Sequence, residues 1–333
     1  MKILSKLLAS SVFCFGLLLI HASAQSCLTS SDMDQPTRSA IEAAAKKYFD
    51  MAAHGDSAGL KQNAIPSLAS GFSGVENAVR DNQENLSGVQ GIVRPPFELK
   101  AEGSTPDPYG EFLCGVFGKN GQTADSAVFV IPNLPPGNYA VVTVDASTKK
   151  GPYTVTFVLQ QMGADWKLGG FYVKEMQVND HDAKWFADKA REYKGKGWTH
   201  DAYFYFQEAR DLSVPVVFMS TQATDSLYTE MQAVKPTDLP GSGNIADLAA
   251  GGKTYKLTSM FPLVVGKDLD VVVKFQTDTV ADTAKAFQDN MAVIKGIIAK
   301  YPEFRDAFDG VVARAVAPSG QDYGSLLPMK EIK

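Results

Sequence analysis

At 333 residues, 45% hydrophobic and 21% charged, the chain has the composition of a folded globular protein and the length for about two domains. Its net charge of −5, with no clustered run of Lys and Arg, argues against a nucleic-acid partner, because neutralising phosphates takes a basic stripe.

In chain order the first element is an export leader. Lys2 and Lys6 precede an apolar run from Leu7 to Ile20, and Ala22-Ser23-Ala24 follows it. A basic start, an apolar run and an Ala-x-Ala site make a signal peptide over 1–24. The run is too short for a bilayer span, which needs about 20 apolar residues, and no second run approaches that length. The mature chain is therefore expected to be exported, periplasmic or secreted, with no transmembrane span. Lipoprotein anchoring at Cys27 is the alternative, although Ala24-Gln25-Ser26 fits a lipidation site badly. The leader carries two lysines and no acid, so its removal makes the chain two charges more negative. Cys14 leaves with it. Cys27 and Cys114 remain, and in an oxidising compartment an isolated pair is readily a disulfide.

Residues 37–53 read as an amphipathic helix, with Ile41, Ala44, Ala45, Tyr48 and Ala52 at helical spacing. A short helix follows Asp56. Ser73 with Glu76 has the spacing of a capping box for a third helix, with Val75, Val79 and Leu86 on one face. From about 90 to 178 the period changes to two. Strands are expected from Phe97, over 112–117, 127–131, 139–144, 153–159 and 166–178. Turn sequences such as Lys119-Asn120-Gly121 and Pro135-Pro136-Gly137-Asn138 separate them. Short turns between successive strands predict an antiparallel meander, and helices before it predict an α+β fold with the helices on one face.

Paired N-terminal helices, a long antiparallel sheet and a closing strand Gly163-Ala164-Asp165-Trp166-Lys167-Leu168 together resemble the cone-shaped domain of the nuclear transport factor 2-like superfamily. The resemblance covers about 36–178 and sets a first domain at 25–178. It implies a curved sheet and helices enclosing a pocket. Tyr48, Phe112, Tyr139, Tyr153 and Phe171 are the candidate lining, with core packing as the competing role for each.

Residues 179–236 are expected to form a helical connector. Phe186, Ala190, Tyr193, Gly197, Ala202, Phe206 and Ala209 stand at offsets resembling one tetratricopeptide repeat over 184–215. One such repeat cannot bury its own apolar side, so it should pack on a neighbouring domain. A third helix is expected near 224–234. Residues 237–244, rich in Pro and Gly, read as a linker. After it, 245–333 has the order β-β-α-β-β: strands at 255–265 and 269–275, a helix over 278–300, and closing strands at 311–316 and 326–332.

Candidate chemistry is sparse. Gly251-Gly252-Lys253-Thr254 ends like a phosphate loop, but Asp247 stands where the leading glycine belongs and a strand follows. Asn179-Asp180-His181-Asp182 groups two carboxylates and an imidazole with no second ligand cluster, which suits a helix N-cap better than a metal. His54 suits a helix end, and His200 a helix start. No Gly-x-Ser-x-Gly elbow marks a nucleophile, so the catalytic residues are unassigned. No cofactor or metal is expected. The residues favour an exported, non-catalytic protein of binding or assembly, taking a small apolar ligand or a protein partner, with a homodimer through the sheet as one mode of assembly. The alternative is a small-molecule hydrolase or isomerase working in the cone pocket.

Overall fold

The computed structural model describes residues 25–118, 121–123, 126–241 and 243–333. The leader expected over 1–24 lies outside them, as do Lys119 and Asn120 of an expected turn and Ser242 of the linker. The fold is α+β.

The chain opens with β1 (Ser26–Leu28) and then α1 (Gln35–Ala53), whose start is fixed by Asp34 accepting from the Thr37 amide. Ile41, Ala45, Tyr48, Phe49 and Ala52 form its buried stripe. Two short helices, α2 (Ser57–Gln62) and α3 (Pro66–Ser70), lead to α4 (Ser73–Leu86). Ser73 is already helical there. Phe72 takes the N-cap position and no side chain caps it, so the capping box expected at Ser73 and Glu76 is not formed.

Next come β2 (Ile92–Val93), β3 (Phe97–Ala101), β4 (Asp107–Cys114), the two-residue strands β5 (Phe117–Gly118) and β6 (Gly121–Gln122), β7 (Ala127–Leu134), β8 (Gly137–Thr148), β9 (Gly151–Met162) and β10 (Asp165–Glu175). They do not make one meander. The main sheet has the order β1-β3-β8-β9-β10, with β2 also paired to β8. Strands β4 and β7 leave it as a hairpin and form a second sheet. The reason lies in β8, where Tyr139 to Val144 are all buried, which a sheet achieves only when both faces are covered. Ala140, Val142, Val144 and Ala146 pack under α1 and α4, while Tyr139 and Val141 pack against the second sheet. The first half is thus three layers: helices, main sheet and hairpin sheet.

Helices α5 (Ala183–Lys196) and α6 (Thr199–Leu212) form the expected hairpin, turned at Gly197, whose φ of 78° is left-handed. Strand β11 (Met219–Thr221) then returns to the hairpin sheet and pairs with β7, and α7 (Gln222–Gln232) follows. The capping box of this helix joins Thr221 and Thr224.

The C-terminal sheet contains β12 (Ala246–Ala250), β13 (Lys253–Val265), β14 (Asp268–Gln276), β15 (Gly310–Val316) and β16 (Asp322–Pro328), in that order. Helix α8 (Thr283–Lys300) and the short α9 (Phe304–Ala307) cross over between β14 and its parallel partner β15. Strand β12 is an addition to the expected order. It exists because Gly251 and Gly252, at φ 57° and 77°, make a tight two-residue hairpin turn, which is the role of the Gly-Gly-Lys-Thr sequence. A single 3-10 turn over Met329–Glu331 follows β16, where the last strand was expected to run on to 332. One apolar core unites α5, α6 and α7 with α8, α9 and this sheet, through Phe186, Phe204, Phe206, Val271, Ile294 and Phe304.

Candidate binding site

The two cores of the first half lie on opposite faces of β8 and β9. The five residues expected to line one pocket are divided between them. Tyr48, Tyr153 and Phe171 lie beneath the helices, and Phe112 and Tyr139 lie between the sheets. None is more than 8% exposed. Tyr48 donates to the Trp166 carbonyl (2.8 Å) and Tyr139 to the Pro135 carbonyl (2.9 Å). Tyr153 donates to Glu175 (2.9 Å). Burial pushes the Tyr48 and Tyr153 hydroxyls up to about 12, so both are neutral donors. All five pack in these cores, and Tyr48 also borders a cavity of about 320 Å³ beside Trp166 and Lys167.

A cavity of about 340 Å³ lies at the end of the inter-sheet layer, within the size range of small-molecule sites. Phe97 from β3, Phe129 from β7 and Val141 from β8 are its apolar floor. The Phe97 and Phe129 rings meet edge to face at 5.2 Å. Pro215, on the segment between α6 and β11, and Met219, the first residue of β11, line another wall. That segment is held in three ways. The Phe218 carbonyl accepts from the Val130 amide (2.9 Å). Phe218 packs edge to face on Tyr172 at 5.4 Å. Lys174 donates to the carbonyls of Asp211 (2.7 Å) and Val214 (3.2 Å), and pairs with the Asp211 carboxylate at 2.9 Å.

The polar lining is largely committed to the protein. Thr143 and Thr156 bond hydroxyl to hydroxyl at 3.0 Å. Ser126 donates to the Val116 carbonyl, and Ser213 to the Ala209 carbonyl (2.7 Å). At the rim, the Arg94 amide donates to the Thr143 carbonyl (2.8 Å) and its Nε to Asp145 (2.7 Å). Next to this layer, Cys27 of β1 and Cys114 of β4 are joined in a disulfide with Cα atoms 5.0 Å apart, so the bond staples the two sheets.

The described histidines have structural partners. Asp182 caps α5 through the Trp185 amide, and His181 stacks on Trp185 at 3.6 Å. His54 Nδ1 lies 2.6 Å from the Asp50 carbonyl at the end of α1. His200 Nε2 lies 2.8 Å from Asp238, whose other oxygen accepts from Tyr301 (2.8 Å), so the expected linker is tied into the C-terminal core. Burial lowers the His200 pKa below the usual imidazole value, and the Tyr301 and His200 contacts hold Asp238 below the usual carboxylate range despite its partial burial. Among the described residues no group of three or more His, Cys, Asp or Glu is placed to hold a metal, and no helix is long and apolar enough to cross a membrane.

Phe97, Phe129 and Val141 all fall in strands expected from the sequence but none is assigned there to a site, and Arg94 is not singled out. Only Arg94-Pro95-Pro96-Phe97 carried a local signal, a cation fixed ahead of an aromatic by two prolines. Compared with protein-family models, curated proteins and solved structures, the chain matches none.

Proposed function

We propose that this chain is an exported binding protein that holds a small, mainly apolar molecule between its two N-terminal sheets. The observation that carries the reading is the inter-sheet cavity, floored by Phe97, Phe129 and Val141 and walled by Pro215 and Met219. Concave, mostly apolar sites with a few polar groups are the usual form of ligand pockets. The Cys27–Cys114 disulfide fits an oxidising location, which supports export. Committed hydroxyls and a guanidinium held by a carboxylate offer no activated nucleophile, which favours binding over hydrolysis or isomerisation.

The test uses the disulfide-bonded mature protein and the neutral fluorescent probe N-phenyl-1-naphthylamine. Saturable binding with an emission blue shift is expected. Val141→Phe, which fills the floor, should weaken it at least tenfold while the near-ultraviolet circular dichroism stays unchanged. No saturable binding by the wild-type protein, or equal binding by the filled variant, would overturn the reading.

A further inference from the structure

We infer that the molecule held between the sheets carries a carboxylate, which seats on the guanidinium of Arg94 while its apolar body lies against Phe97 and Phe129. The inference rests on the proposed inter-sheet site and names the class of ligand for it.

The cavity lining keeps few charged donors. Ser126 and Ser213 spend their protons on the Val116 and Ala209 carbonyls, Thr143 shares one bond with Thr156, and Thr221 accepts from the Thr224 amide, so the hydroxyls that keep a proton are neutral donors. Arg94 differs. It spends Nε on Asp145, and among the described residues its two Nη groups make no hydrogen bond. Its side chain is about half exposed, so these donors stand at the mouth, not in the floor.

The guanidinium is also held in place. The Arg94 amide is bonded to the Thr143 carbonyl, which fixes its backbone to β8. Pro95 and Pro96 restrict the backbone directly after it. Asp145 holding Nε restrains the guanidinium and leaves both Nη groups without a hydrogen bond among the described residues. Two parallel N–H groups presented on one edge match the two oxygens of a carboxylate, a stronger and more directional contact than a neutral hydroxyl makes. The apolar floor begins behind the same residue, since Phe97 is three positions on and lines the cavity. A charged head at the rim and an apolar body inward is the polarity of a short-chain fatty acid or an aryl carboxylate.

Isothermal titration of the mature protein with octanoate and 1-octanol, which share a body and differ in the head, tests the inference. The wild-type protein should bind octanoate at least tenfold tighter. Arg94→Gln should weaken octanoate roughly tenfold to a hundredfold, the range for a charge-assisted bond, and leave 1-octanol unchanged. Arg94→Lys, which keeps the charge and loses the fork, should fall between. Equal binding of both probes by the wild-type protein would overturn the carboxylate assignment and leave the apolar site standing. Binding of neither would overturn the site and the assignment together. The wild-type ratio decides even if a variant fails to fold.

Discussion

At the scale of single residues, Asp201, in the first turn of α6, is an acid buried at a cost. It is fully buried and neither carboxylate oxygen has a hydrogen-bond partner. What faces it is acidic or neutral: Glu303 and Asp306 from the α9 segment, and the hydroxyls of Tyr193 and Tyr205, which donate to the Asp306 and Ala307 carbonyls. Burial, with the nearby charges of Glu303 and Asp306, pushes its pKa up to about 8. A folded value raised above the unfolded one means that the folded protein keeps a proton the unfolded chain releases. The stability is intact below about pH 4 and erodes as pH climbs towards 8, by up to about 1.4 kcal/mol per unit. Glu208, raised to about 7 mainly by burial, and Asp270, raised to about 6 mainly by burial, slope the same way over narrower windows. Asp201→Asn should therefore flatten the fall in melting temperature between pH 5 and 8 and melt above the wild-type protein at pH 8. Parallel melting curves for the two proteins across that range would remove Asp201 as the cause.

At the scale of elements, the disulfide and the wall segment do different work. Cys27 and Cys114 are separated by 87 positions, and closing a loop of that length removes roughly 4–5 kcal/mol of chain entropy from the unfolded state in the loop-closure account. Replacing both with Ser should lower the melting temperature by roughly 6–8 °C, and reductant should then have no further effect. A wild-type protein whose melting is indifferent to reductant would contradict this. Lys174 acts locally, since it holds two carbonyls at the end of α6. Lys174→Met should speed hydrogen exchange at 213–218 and weaken probe binding, with a change in global melting of only a few degrees. Unchanged exchange in that segment would show that Phe218 and β11 hold the wall alone.

The elements also show what could be read in advance. Helix α1 was legible because its apolar stripe recurs at helical spacing. The strands were legible by alternation, as in Leu269, Val271, Val273 and Phe275 of β14. The capping box at Ser73 was misplaced because spacing does not say which residue is the last non-helical one. Strand β12 was missed because Ala246–Ala250 has little β-branched content and is placed by pairing with β13. The division of the candidate lining residues between two cores was not legible for a related reason. Alternation puts Tyr139 and Tyr153 on faces, but which face meets a helix and which meets a second sheet depends on where β4 and β7 fold, a long-range event that period-two patterning does not encode.

At the scale of the whole molecule, the α+β class was legible and the partition of the cores was not. The helical hairpin resembles a repeat unit in sequence, yet its aromatic residues enter one core with the C-terminal sheet, where Phe204 and Tyr205 meet Phe308 at ring separations of 6.0 and 6.2 Å. The chain also doubles back. After α6 has joined the C-terminal core, β11 returns to pair with β7, and α7 then rejoins that core.

That return strand gives the molecule an order in time. During synthesis, residues up to Glu175 emerge first, and they can form the main sheet and the β4–β7 hairpin. One edge of β7 then stays bare until Met219 to Thr221 arrive, and an unpaired strand edge beside apolar side chains is a template for pairing with another chain. The first half of the protein is therefore completed by a piece of the second, and it is vulnerable for as long as that piece is still on its way.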